Sequence, residues 1–276
     1  MKIAVLTSLA LLASCSAFAQ TDTQIPPPVD VKKDVQIDIK NPIKVEGAVP
    51  VSGEPHHVLV FKNDFVHVYN VTVPPLDVTL MHQHDLPYLY LTLGMTDITN
   101  AVQGKPEAHL VYEDGTTRYS PGSFAHVVRT DAGILFHNIT IELAHPQASP
   151  HNLGEKGGDP ALGACPQNAA DAKSYGQIPS EQLTPCFETD EVRMDIVRVE
   201  GGKDYEETAP KLATLVVAMS NANLDVSLAG EHSAFLHAGD VLWLPAGTPR
   251  RIVDFLGIKS KFLLISFKDS GAPPAK

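Results

Sequence analysis

The sequence predicts an all-β protein, and three observations carry that expectation. Short runs alternate apolar and polar residues, as half-buried strands do, and turn signals such as Asp114-Gly115 and Ala238-Gly239-Asp240 divide them. Long amphipathic helical patterns are absent. The chain also repeats itself: Phe61 to Val71 matches Phe187 to Val197, with Asp64, Val66 and Val68 answered by Asp190, Val192 and Met194. The same separation relates Phe136-His-Asn-Ile139-Thr-Ile141 to Phe262-Leu-Leu-Ile265-Ser-Phe267. A two-residue adjustment brings Tyr119-Ser-Pro121-Gly122 onto Trp243-Leu-Pro245-Ala-Gly247. A period this long excludes a solenoid and indicates two copies of one antiparallel sandwich or barrel.

From the amino terminus, residues 1–19 read as an export signal. Lys2 supplies the positive start, Ile3 to Leu12 the apolar segment, and Ala17-Phe18-Ala19 a small-x-small cleavage site before Gln20. The segment is too short to span a bilayer stably, so no transmembrane segment is expected. The alternative is a lipobox, Leu12-Ala13-Ser14-Cys15, with Cys15 lipidated after cleavage. Either route leads to a periplasmic or secreted protein. Residues 20–53 form an extension with Pro26-Pro27-Pro28 and one candidate edge strand, Val35 to Ile39.

The first unit then runs over 54–147, a Pro/Gly-rich connector over 148–183, and the second unit over 184–270. Beyond Cys15 the cysteines are Cys165 and Cys186, an even pair that an oxidising compartment is expected to join as a disulfide. Two unpaired thiols are the alternative.

The chain has 276 residues, 43% of them hydrophobic, and a formal net charge of −11 without a Lys/Arg-rich stripe. That balance argues against nucleic acid as a partner and against adsorption to an anionic membrane. There is no Gly-x-Ser-x-Gly elbow, phosphate-cradling loop or dinucleotide fingerprint. The expected partner is a small-molecule substrate, and a homodimer is left open.

Chemistry concentrates in Met81-His82-Gln83-His84-Asp85. Residues two apart on a strand point the same way, so His82 and His84 can aim two imidazoles at one point. His126, behind the Ser120-Pro121-Gly122 turn, stands where a returning strand would complete a three-nitrogen face. Imidazoles suit one divalent transition metal ion, with iron, manganese, zinc, nickel and copper all open. Ordinary surface or barrel-lining histidines are the plain alternative.

Glu142 shares a face with Asn138 on a later strand and is a candidate acceptor behind a ligating histidine. His137, on the opposite face, cannot enter the barrel together with Asn138. His56, His57, His67 and His109 have no spacing that singles them out. His145, His151, His232 and His237 fall in loop-like or turn-flanking contexts.

These residues resemble the cupin superfamily. Its first motif, His-x-His followed by Glu and then Gly, is matched by His82-Gln83-His84 and Gly94, with Tyr88 about where the Glu would stand. Its second motif is matched loosely by Pro121-Gly122 and His126. In the second unit Gly239, Pro245 and Gly247 match it closely, with Arg250 in place of the histidine. The resemblance covers residues 54–147 and 184–268. It implies a bicupin: two tandem double-stranded β-helix barrels, the first metal-binding and similar to dioxygenase-type cupins, the second degenerate.

Repeat spacing puts Thr208 and Pro210 at the places of His82 and His84, and neither of these, nor Arg250, supplies a neutral nitrogen. Arg250 and Arg251 are read as solvated charges, with anion pairing as the alternative; cation binding by Glu206-Glu207 is a remote option. Tyr88 is the candidate catalytic residue, as a hydrogen-bonding phenol or a weak ligand once deprotonated, with an aromatic lining residue as the alternative. Tyr90 and Thr92 follow at strand spacing and are candidates to line the same cavity.

Three functions remain in view: a dioxygenase-type oxidoreductase acting on a small oxygenated substrate; a metal-dependent isomerase or lyase; and a non-catalytic binder of a small ligand or sugar. With three histidine ligands, three coordination positions would stay open to water, oxygen or substrate.

Overall fold

The structure, a computed structural model, describes residues 45–153, 183–199, 204–208, 210–219, 224–228, 232–254 and 260–268. The export signal, the Val35–Ile39 strand and Cys165 lie outside these residues, as does most of the connector. Cys186 is buried. Among the described residues no helix is long and apolar enough to cross a membrane.

The all-β expectation is met. The first strands are β1 (Val49–Pro50), β2 (His57–Lys62), β3 (Val66–Val73), β4 (His82–His84) and β5 (Tyr88–Thr92). They are followed by β6 (Thr96–Val102), β7 (Ala108–Tyr112), β8 (Thr117–Ser120), β9 (Phe124–Arg129) and β10 (Phe136–Leu143). Next come β11 (His151–Asn152), β12 (Leu183–Glu188), β13 (Val192–Val199), β14 (Asp204–Glu207) and β15 (Ala213–Ala218). The chain closes with β16 (Leu224–Leu228), β17 (His232–Leu236), β18 (Val241–Leu244), β19 (Arg250–Asp254) and β20 (Ser260–Phe267).

These strands form four sheets. One has the order β1-β4-β9-β6-β7 and another β2-β3-β10-β5-β8; the later strands form β11-β12-β13-β20-β15-β18 and β14-β19-β16-β17. Apart from β1, each strand of residues 45–143 has a counterpart in the same place among residues 183–268, where β11 is added at the edge of the larger sheet. Within the connector, His151 and Asn152 are not loop but pair with Glu188 and Phe187.

Register corrects one sequence alignment. Val71 lies opposite Asn138, and its counterpart Val197 lies opposite Phe262. Phe262 therefore holds the place of Asn138, two residues from the Phe136 match. A slip of two keeps every side chain on its face, so the alternating pattern could not detect it.

The period-two pattern of β10 explains how the units meet and where the site lies. Ile139, Ile141 and Leu143 point to one face, Asn138, Thr140 and Glu142 to the other. The apolar face joins Val66, Val68, Leu89 and Leu91 in a core shared with Met194, Ile196, Leu215, Val217 and Ile265 of the second unit. Tyr119 stacks on Phe187 across this seam, with ring centroids 5.0 Å apart. Truncating one such fully buried aliphatic to alanine costs about 2–5 kcal/mol. The polar face turns into the first unit, where it walls a cavity.

Candidate metal centre

The turn before β9 makes the site. Gly122 has φ +72°, and a Cβ there would lie 2.1 Å from the Leu86 carbonyl oxygen. Only glycine allows that approach. The next residue, Ser123, donates its backbone N–H to the His84 carbonyl, and β9 returns antiparallel beside β4 with His126 directly opposite His82.

The rings of His82, His84 and His126 lie side by side. Ring centroids are 5.2 Å apart for His82 and His84, 4.4 Å for His82 and His126, and 5.3 Å for His84 and His126. All three are buried. Their hydrogen bonds set the ring chemistry. His82 Nδ1 lies 2.9 Å from the Leu80 carbonyl, which only accepts, so this nitrogen carries the proton. His126 Nδ1 lies 2.8 Å from Asn100 Oδ1.

Nε2 of both rings is then a lone pair, buried and without a hydrogen-bond partner. Two buried acceptors left so cost about 1–3 kcal/mol each, and a cation between them would offset it. The donor set therefore fits a metal ion.

Electrostatics keep these rings neutral. Burial, reinforced by repulsion from His57, pushes His82 down to about 4. Burial holds His84 and His126 well below the usual imidazole range, and the neighbouring histidines add to it. Neutral imidazole is the ligating form.

A fourth histidine was not legible in the sequence. His57, on β2, lies with its ring centroid 4.5 Å from that of His82, and ring nitrogens of His57, His82 and His84 all lie within 4.8 Å of one another. Its Nδ1 is 2.7 Å from Glu54 Oε2. Burial pushes the Glu54 carboxyl up, but hydrogen bonds from His57 and His56 outweigh it and hold the group down at about 2. The available signal was Glu54-x-x-His57 ahead of an alternating run, and it is weak without a partner.

Glu142 takes the place expected of it: its Oε1 lies 3.4 Å from His84 Nδ1. Burial, with the nearby Asp85 charge, pushes its carboxyl up to about 8. Tyr88 stacks on His84, centroids 4.4 Å apart at 27°, and hydrogen-bonds with the Ser120 side chain. Burial raises its phenol, which is neutral in the metal-free site. Tyr90 also lines the cavity, whereas the Thr92 hydroxyl donates to the Glu113 carbonyl instead. Asn138 faces the cavity, while His137 turns away to Asn70, with Nε2 2.9 Å from Oδ1. The cavity measures about 70 Å³, several times what one water needs.

The second unit departs from expectation in two places. Register sets Glu207, not Thr208, at the place of His82, opposite Arg250. Arg250 is not solvated: it is buried, and its Nε donates to Glu207 Oε2 at 2.9 Å. Arg251 is exposed and pairs with Asp204.

No protein-family model matches the chain, and no curated protein matches it by sequence. Solved structures do match. The chain is similar to AerE from Microcystis aeruginosa, at 9% identity and TM-score 0.54, over 78% of this chain and 99% of that one. It is also similar to a salicylate 1,2-dioxygenase from Pseudaminobacter salicylatoxidans, at 12% identity and TM-score 0.53, over 76% of this chain and 75% of that one. The fold is that of the cupin-type β-barrel proteins. At such identities the likeness is one of fold, and the chemistry has to be argued from the cavity.

Proposed function

We propose that this protein is an exported bicupin that binds one divalent transition metal through His82, His84 and His126 in its first barrel. In this reading it acts on a small oxygenated substrate as a dioxygenase-type oxidoreductase. The observation that carries the proposal is the pair of buried, partnerless Nε2 atoms of His82 and His126, two residues that line the cavity. Likeness in fold to a salicylate 1,2-dioxygenase supports the reaction class. The matching order of the two sheet pairs supports the bicupin reading. Export rests on Lys2, the Ile3 to Leu12 segment and the Ala17-Phe18-Ala19 site.

A bound divalent ion supplies Lewis acidity and, if redox-active, a place for oxygen beside the substrate. The chain's own residues do the rest. Val71, Ile98 and Phe136 wall the cavity and exclude water. Tyr88, kept neutral, offers its hydroxyl to a substrate oxygen. Asn138 and Thr140 present an amide and a hydroxyl that orient a polar ligand.

The same neutral phenols, Tyr88 and Tyr90, favour a second reading as a metal-dependent isomerase or lyase, since they can hold a proton without any oxidant. Oxygen uptake by metal-reconstituted protein, with a panel of salicylate, flavonoid, diketone and keto-acid substrates, tests the first reading. Substrate-dependent uptake supports it. Turnover without uptake assigns the second, and saturable binding without turnover, whichever metal is supplied, assigns a binding protein.

A further inference from the structure

Four imidazoles line the cavity; ring nitrogens of His57, His82 and His84 lie within 4.8 Å of one another, and His126, outside that group, stands beside the shared pair, His82 and His84, by its ring. His126 approaches His82 from β9 on one side, and His57 approaches from β2, in the facing sheet, on the other. The outer rings stand almost equally far from the shared pair. Centroid distances to His82 are 4.5 Å from His57 and 4.4 Å from His126; those to His84 are 5.9 and 5.3 Å.

His57 is built as a ligand would be. Its Nδ1 donates to a carboxylate, which leaves Nε2 as the lone pair. Glu54 is itself fixed by His56 Nδ1 and the His56 backbone N–H, each at 2.8 Å, and by the Leu80 N–H at 3.2 Å. Leu80 ties the two sides together, because its carbonyl accepts the Nδ1 proton of His82. One short network therefore orients His57 and His82 toward a common centre.

Resting on the metal reading above, we propose that His57 is a fourth nitrogen ligand, so that a single cation is held by His57, His82, His84 and His126. Glu54 is then the counter-charge, placed one imidazole away from the ion rather than on it. This accounts for Tyr88 at the place of an acidic ligand: the negative charge has moved behind His57. Four imidazoles leave two positions of a six-coordinate ion free, not three. They also select against magnesium and calcium, which prefer oxygen.

Copper(II) loading of the metal-free protein tests the assignment. Pulsed electron paramagnetic resonance should count four imidazole nitrogens in the wild type and three in His57→Ala or His126→Ala. Chelator competition should show copper affinity lowered at least about tenfold by His57→Ala. Glu54→Gln should lower it about 10- to 100-fold while the count stays at four. A wild-type count of three, with His57→Ala unchanged in affinity, overturns the inference and leaves the three-histidine centre standing. Wild-type protein that binds neither copper nor zinc defeats both readings. The wild-type count depends on no variant folding.

Discussion

The two units hold their strands in the same register and differ in what those strands carry inward. Opposed His82 and His126 in the first become opposed Glu207 and Arg250 in the second. His57, Tyr90, Asn138 and Thr140 correspond to Leu183, Val216, Phe262 and Leu264, since Val71 and Val197 hold like places. One interior is therefore a polar cavity, while the other is an apolar cluster around Val197, Val216, Phe262 and Leu264. The opposite faces stay apolar in both units and meet in the shared core. A few inward positions thus separate a site from a packed interior, and the scaffold tolerates either set.

The sharpest way to break this comparison is to move the second unit's residue into the first. In His126→Arg a permanent charge enters a pocket where histidine, not glutamate, faces it. An uncompensated buried charge costs about 3–5 kcal/mol. Metal affinity should fall more than about 100-fold, beyond the loss typical of outer-shell partners. Urea unfolding and metal analysis after dialysis read both effects. Full metal stoichiometry in this variant would remove His126 from the centre.

Acid stability should also separate the units, in metal-free protein. Unfolded imidazoles take a proton near pH 6.5, whereas His82 waits until about 4, and His84 and His126 are also held well below the usual range by burial. Between those limits the unfolded chain binds more protons, so stability falls as the pH drops. His82 alone contributes on the order of 3 kcal/mol at 1.36 kcal/mol per pH unit.

Glu142 acts in the opposite sense. Raised to about 8, it costs stability as pH rises from 4.5 toward 8. Three histidines outweigh one carboxyl below pH 6.5, so the urea midpoint should peak near there, and His82→Asn should flatten the acid limb. An acid limb unaltered by that substitution would take it away from the first unit.

Much of this contrast was legible in the residues. Alternation fixes which side of a strand a residue occupies, so spacing alone puts His82 with His84, and Asn138 with Glu142, on common faces. Pro121-Gly122 marked the turn that returns His126. His57 escaped because its relation to the others runs between two sheets that no local period connects. The Glu207–Arg250 pairing escaped for a related reason: it depends on register, and repeat spacing placed Thr208 there, one residue away. Phe262 was aligned two residues off, an error that preserves its face and so leaves no trace in the pattern.

Within the second unit, the ion pair sharpens the comparison at a smaller scale. Glu207→Gln leaves the buried Arg250 guanidinium without its carboxylate, although Glu207 is 35% exposed and water softens the loss. A cost of about 1–3 kcal/mol is expected, below that of a fully buried pair. Arg250→Met in the same background should recover most of it, because an apolar side chain of similar length removes the unpaired charge from a buried position. Metal content should match the wild type in both variants. A loss of metal on changing Arg250 would show that the second unit participates in the centre.

The smallest effect is expected at Tyr88, whose counterpart by register is Thr214. The Thr214 hydroxyl hydrogen-bonds with that of Ser266, at 3.2 Å between the two oxygens. Ser266 in turn stands where the first unit has Glu142. Tyr88 instead reaches the cavity, with its ring on His84 and its hydroxyl near Ser120. Tyr88→Phe keeps the stacked ring and deletes only the hydroxyl, so stability should fall by about 1 kcal/mol and metal content should not change. If the phenol donates to a substrate oxygen, kcat/KM falls about tenfold, the worth of one hydrogen bond at 1.36 kcal/mol per decade. Unchanged kcat/KM with the same metal content would make Tyr88 part of the wall, as Thr214 is in the other unit, and would leave substrate orientation to Asn138 and Thr140.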